Sequence, residues 1–240
     1  MGALHRCAVL RPSHVDARSR GHRYVREMPS YEVFPRGFFD RADETSDDAF
    51  YSLDRFVTHV DDAAITAVGE LYDELVLTGE VLDICSSWVS HFRTPPRRLV
   101  AMGMNDAELR ANAAASEWVV RDLNADPTLP FGDDSFDAVT CCVSVDYLTR
   151  PLEVFAEAAR VLRPGGVFAV TFSDRCFPTK AIRGWLATDD EGHCAVVATY
   201  FRLTADFGDP VVQLRNPGAR TDPLYAVWAR SNRSPSDGET

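Results

Sequence analysis

Phe136 to Phe172, FDAVTCCVSVDYLTRPLEVFAEAARVLRPGGVFAVTF, decides the fold of this chain. Phe136, Ala138, Val139 and Val143 make the mostly apolar run expected of a strand covered on both faces. Pro151 then opens a helix in which Leu152, Phe155, Ala156, Ala159 and Leu162 recur at helical spacing, while Arg160 and Arg163 complement its last turn. Pro164, Gly165 and Gly166 stop that helix, and Val167, Ala169, Val170 and Phe172 read as the next strand. Strand, helix and strand in this order set two parallel strands side by side with a crossover between them. Ligands of such sheets lie beyond the carboxyl ends of the strands, here Val143 to Tyr147 and Ser173 to Lys180.

Working outward, Val81 to Cys85, Arg98 to Met102 and Trp118 to Arg121 read as three earlier strands, with a helix over Ala107 to Ala114. Downstream, Thr179 to Leu186 and Glu191 to Leu203 read as helices, and Phe207 to Leu214 and Leu224 to Arg230 as two final strands. Before the sheet, Tyr31, Phe34, Phe38 and Phe39 sit among Pro35 and Gly37, an aromatic loop that should dock rather than float. Ser46 with Asp47 and Asp48 marks a helix start continued by Phe50, Leu53, Phe56 and Val57, and a second helix is expected over Asp61 to Val76. The chain thus divides into an arginine-rich arm over 1–30, a helical cap or lid over 31–78, a sheet domain over 79–230 and a tail over 231–240. The composition of the arm is compatible with a flexible segment, a transit peptide or an RNA-binding arm.

At 240 residues and 45% hydrophobic composition the chain can bury a core of its own. A net charge of -11 disfavours nucleic-acid phosphate as the main partner. No apolar run approaches a membrane span, so a soluble, cytoplasmic protein is expected. The six cysteines form no disulfide scaffold and contain no Cys-x-x-Cys, and no metal site is expected from their spacing. Lys180 is the sole lysine amid abundant arginine, more a coding bias than a physical design.

Leu129-Pro130-Phe131-Gly132-Asp133-Asp134-Ser135-Phe136-Asp137, followed by Arg160-Val161-Leu162-Arg163-Pro164-Gly165-Gly166, closely resembles a block of the class I S-adenosylmethionine-dependent methyltransferases, type 11-like. The resemblance runs from about Val81 to Phe172. It implies a Rossmann-like α/β fold: a seven-stranded, mostly parallel sheet with an antiparallel last strand, flanked by helices. It also implies S-adenosyl-L-methionine as cofactor. Asp83 matches the acid that ends the family's first strand, but the first motif is glycine-poor, with Cys85, Ser87 and Val89 where three glycines usually stand. Ser86 and Ser87 could donate hydroxyls to the cofactor's carboxylate, with amides of a following helix beside them. Where the family's second strand ends in a ribose-binding carboxylate this chain has Gly103, leaving Asn105 as the residue that could hydrogen-bond the ribose and Asp106 as the cap of the following helix. Asp122 and Leu123 match the adenine position.

On the acceptor side, the resemblance puts Asp146 and Tyr147 at the open end of the fourth strand, where either could orient a nucleophile or accept its proton. Cys142 could be a pocket wall or, with a second thiol, a soft-metal ligand. Trp88, Arg175 and Lys180 are the candidate substrate contacts, the two cations suiting an acidic group. The leading expectation is methyl transfer to a small-molecule acceptor. The alternatives are a non-methylating relative that binds the cofactor or its product, or uses another part of it, and an interaction protein whose pocket is filled.

Overall fold

In the computed structural model, residues 30–218 and 220–234 are described. Almost all of the arm therefore lies outside the described residues, as does the tail beyond residue 234. Seven strands form one sheet in the order β3-β2-β1-β4-β5-β7-β6. They are β1 (Glu80–Ile84), β2 (Arg98–Gly103), β3 (Glu117–Val120), β4 (Phe136–Cys142), β5 (Leu162–Phe172), β6 (Val211–Leu214) and β7 (Tyr225–Arg230). The first five are parallel, and β7 inserts antiparallel between β5 and β6. This is the Rossmann-like architecture expected from the sequence.

Among the described residues six α-helices accompany the sheet: α1 (Asp47–Tyr51), α2 (Asp62–Glu74), α3 (Asp106–Ala111), α4 (Pro151–Val161), α5 (Arg183–Leu186) and α6 (Asp190–Leu203). Helix α2 starts on an Asp61 side chain that accepts from the Ala64 amide, and it buries Ala64, Val68, Leu71 and Tyr72 against Val81, Leu99, Ala138 and Ala169. On the other face α4 and α6 bury Leu152, Phe155, Val197 and Phe201 against Val139, Phe168 and Val170. Central strands covered on both sides explain why their sequences are nearly continuous in apolar residues.

Four local expectations are corrected. The periodicity from Phe50 to Val57 suggested a long helix, but α1 ends at Tyr51, and Leu53, Phe56 and Val57 are exposed. The Arg55 amide bonds to the Glu108 carboxylate, and the Arg55 guanidinium takes the Phe50 and Leu53 carbonyls, which diverts the backbone from helical bonding. No helix follows β1 over residues 85–97. There Cys85 and His91 adopt left-handed φ values of 53° and 55°, and Ser86, Ser87 and Ser90 spend their hydroxyls on tertiary partners. The stretch expected to be helical from Thr179 yields only α5, because Thr179 and Ile182 bond to the cap. Finally, β5 begins at Leu162, so Pro164, Gly165 and Gly166 lie inside an irregular strand with a register shift against β4.

The beginning of the expected tail is also fixed. Ser231 bridges Phe207, and the Arg233 guanidinium donates to the Ala159, Arg160 and Leu162 carbonyls at the end of α4. A cation at a helix carboxyl terminus satisfies carbonyls that have no partner within the helix.

The segment before α2 is bound to the sheet edge by three means. Tyr31, Phe34, Phe38, Phe39 and Tyr200 form an interlocked ring cluster with centroid separations of 5.0 to 6.3 Å. Backbone bonds join Arg183 to Asp40, Gly184 to Phe38 and Asp43 to Thr179. Gly184 is required there, since a Cβ would sit 2.2 Å from the Phe38 ring. The third tie is a buried ion cluster. Lys180 has no exposed surface and meets Asp43 and Asp47 at 3.1 Å each, while Arg41 grips Asp47 through both carboxylate oxygens at 2.9 and 2.8 Å.

Candidate active site

The carboxyl ends of β1, β2 and β4, together with the turn after β3, open into one cleft of about 340 Å³. The cap closes its other side with Tyr51, Arg55 and His59, and the loop after β5 contributes Arg175, Cys176 and Phe177. This volume is on the scale of small-molecule sites.

At the first turn, Asp83 is buried and accepts from Ser86 Oγ and Thr140 Oγ1, both at 2.7 Å. Burial raises its pKa, partly countered by these hydroxyls and Ser90. Asp83 thus clamps the turn from beneath. Cys85 keeps the left-handed backbone that a glycine would adopt at no cost. The turn also lies so close to β2 that a Cβ on Gly103 would meet the Ser86 carbonyl oxygen at 2.0 Å. Gly103 therefore serves close packing of two strand ends. Ser86 and Ser87 do not offer the free donors that the sequence led us to expect: Ser87 Oγ donates to Glu108 as Ser86 Oγ does to Asp83. What remains on both is acceptor capacity, which suits an ammonium rather than a carboxylate.

At the second turn, Asn105 caps α3, accepting from the Glu108 amide at 3.0 Å and donating to the Tyr51 carbonyl and Asp54. Its amide is consumed by the protein, so the ribose role is corrected. Asp106, the expected cap, instead pairs with Arg110 and accepts from the Trp118 indole. The carboxylate in this part of the cleft is Glu108, a buried residue missed in the sequence. Its only sequence signal is a glutamate three residues after a capping asparagine.

At the third turn, Asp122 closes its own loop by accepting from the Asn124 and Ala125 amides, and Asp122 and Leu123 both line the cleft. Asn124, also overlooked, donates to Asp47 and the Tyr147 carbonyl and accepts from Thr149, joining this turn to the cap.

On the acceptor side, Cys142, Tyr147, Trp88 and Arg175 line the cleft. Trp88 donates to the Val57 carbonyl, and Tyr147 accepts from the Phe177 amide. Arg175 is paired with Asp222 at 2.8 Å. Two candidates are misplaced. Lys180 is locked beneath the cap in the ion cluster, where Asp43 and Asp47 compensate a cation that burial alone would disfavour. Asp146 is turned away from the cleft at 2% exposure, with Oδ2 lacking a hydrogen bond, and burial pushes its carboxyl up to about 8. Cys85, Cys142 and Cys176 share the cleft wall, but no group of three metal-ligating residues is gathered among the described residues.

Sheet order, an inserted antiparallel strand and a cleft over the ends of β1, β2 and β4 define a class I methyltransferase fold. Residues 81–170 match the family model described as Methyltransferase domain. The ubiquinone/menaquinone biosynthesis C-methyltransferase of Roseobacter denitrificans is 43% identical over 68 residues, 28% of this chain and 26% of that protein. The mitochondrial 2-methoxy-6-polyprenyl-1,4-benzoquinol methylase of Rattus norvegicus is 36% identical over 72 residues, 30% of this chain and 21% of that protein. The matches thus span about a quarter of these relatives. Among solved structures, a methyltransferase from Aquifex aeolicus superposes with a TM-score of 0.52 at 15% identity, covering 71% of this chain and 94% of that one. The 1,6-didemethyltoxoflavin-N1-methyltransferase of Burkholderia thailandensis, solved with S-adenosylhomocysteine, gives 0.51 at 18% identity, covering 72% and 79%. No described helix is long and apolar enough to cross a membrane.

Proposed function

We propose that this protein transfers the methyl group of S-adenosylmethionine to a small-molecule acceptor. The observation that carries the reading is the open cleft: although Cys85, Ser87 and Val89 stand where glycines are usual, they and Trp88 line the space rather than fill it. The donor set fits the cofactor along its length. The acceptor lone pairs of Ser86 and Ser87 suit its ammonium, Glu108 its ribose hydroxyls, and Asp122 with the backbone at Leu123 its adenine. Asp83 positions the first turn from beneath. When bound, the cofactor supplies an electrophilic methyl on a sulfonium. The protein's part is then alignment of the acceptor and exclusion of water.

A small acceptor is supported by the cap, whose Tyr51, Arg55 and His59 narrow the cleft from above, and by the small-molecule methylases among the relatives. Tyr147 and Trp88 are the proposed acceptor walls, with Cys142 and Arg175 at the margin.

Calorimetric titration with S-adenosylmethionine and S-adenosylhomocysteine tests the reading. Both should bind, and Asp122→Ala should weaken binding by roughly 1–3 kcal/mol, the scale for a buried polar partner left unpaired. Binding of neither by the unaltered chain would defeat the proposal.

A further inference from the structure

Two imidazoles enter the acceptor side of the cleft from different elements. His59 arrives from the irregular cap segment after α1, and its ring packs edge-on against Phe177 with centroids 5.4 Å apart. His91 arrives from the loop after β1, at a residue held in the left-handed region. That backbone costs an L-residue about 1–2 kcal/mol, and such strain is retained where it aims a side chain. A Cβ on Gly69 of α2 would lie 3.1 Å from the His91 carbonyl oxygen, so the loop bends hard against the helix. Both rings line the cleft, and neither makes a side-chain hydrogen bond to any described residue. His59 is exposed on its outer side and His91 is half-buried, so the ring nitrogens of both are available to a molecule in the cleft.

The surrounding charges are specific. Arg55 lines the same wall, its guanidinium 4.5 Å from the Phe50 ring centre and 5.7 Å from that of Phe177. It spends two N–H groups on backbone carbonyls and has no carboxylate within ion-pair distance among the described residues. The other cleft cations are committed, Arg121 to Asp126 and Arg175 to Asp222. Burial lowers the His59 pKa, with Arg55 acting in the same direction and Glu108 opposing. Burial also lowers that of His91, and a charge on His59 would lower it further. Cys142 and Cys176 are the nearby thiols of the wall, and burial raises the pKa of both, so neither thiolate competes at neutral pH.

We propose that His59 and His91 form the proton-accepting pair for the methyl acceptor, with Arg55 holding the anion produced, so that the acceptor is a planar molecule bearing a weakly acidic hydroxyl. The assignment deepens the methyltransferase reading and rests on it. The acceptor O–H breaks, its proton bonds to the lone pair of an imidazole nitrogen, and the O–H electron pair stays on oxygen beside Arg55. Glu108 favours the imidazolium so formed, and the open side of His59 returns the proton to water. The uncompensated Arg55 charge disfavours a cationic amine in the same place, and the rings of Phe177, Tyr51 and Trp88 suit a flat partner.

The test uses the full chain saturated with S-adenosylhomocysteine and 4-nitrophenol as probe, whose ionised form is coloured. The bound dye should ionise with a constant raised roughly tenfold over that in water, the scale of one unit of pKa. His59→Gln or His91→Gln should return it toward the value in water, while calorimetry shows unchanged S-adenosylhomocysteine affinity. Dye that ionises as in water, is indifferent to both substitutions, or fails to bind a chain that takes S-adenosylhomocysteine overturns the assignment. Histidine-selective NMR titration of the ligand-free chain decides the pair separately from the cofactor reading. His59→Gln should raise the His91 midpoint, and independent titrations of the two rings would overturn the pair even if S-adenosylhomocysteine binds.

Discussion

Cys85 and Gly103 face each other across the ends of β1 and β2, and each carries a cost the other does not. Cys85 holds a left-handed backbone with a side chain, a penalty of about 1–2 kcal/mol. Glycine would remove that penalty but lose roughly 0.5–1 kcal/mol through the greater freedom of the unfolded chain. Cys85→Gly should therefore leave stability unchanged or raise it by up to about 1.5 kcal/mol, read as the denaturant midpoint. A clear loss would mean that the thiol packs more productively than its position suggests. Gly103→Ala should behave oppositely. The added methyl would meet the Ser86 carbonyl oxygen, and overpacking of this kind costs about 1–3 kcal/mol. Because the displaced carbonyl belongs to the cofactor turn, S-adenosylhomocysteine affinity should fall with it.

Among the elements, the cap is the one whose attachment depends on charge. Its aromatic cluster and backbone bonds secure residues 31–43, whereas α1 and the cleft-facing Asp47 are tied through Lys180, Arg41 and Asn124. Lys180→Met removes the cation and leaves Asp43 and Asp47 short of a partner, although Arg41 still holds Asp47. Breaking a buried pair costs about 3–5 kcal/mol, and the surviving Arg41 places the expected loss near about 3. Limited proteolysis should then cut first within residues 40–51. A uniform loss of protection across the sheet would show that the cluster supports the core rather than the cap.

For the whole molecule, Asp146 sets a pH dependence of stability. Its folded pKa of about 8 lies above the ordinary carboxyl value of 3.8, so the folded state binds this proton more tightly than the unfolded state. The contribution is full below pH 3.8, declines as pH rises and is gone above about 8. The slope of that decline is at most about 1.4 kcal/mol per pH unit. Asp146→Asn removes the titrating proton. The stability of the natural chain relative to this variant should fall with pH up to about 8 and stay level beyond it. A flat difference between pH 4 and 9, measured by denaturation, would show that Asp146 is solvated in the folded chain.

The local sequence determined the strands and the crossover helix α4, because hydrophobic period, Pro151 and the turn block act over a few residues at a time, while the insertion of the last strand was implied by the resemblance of the turn block. It also placed Asp83, Asp122 and Leu123 at strand ends, since a strand's end is a local property. Only tertiary structure decided what those ends do. Ser86 and Ser87 turned from free donors into bonded ones through Asp83 and Glu108, and Asn105 was taken by the cap. Lys180 passed from a loop cation to a buried anchor, and Asp146 rotated out of the cleft. Glu108, His59 and His91 entered it instead. Hydrogen bonds and ion pairs between residues 21 to 137 positions apart leave no periodic trace in a sequence, whereas burial of one face of a strand or helix does.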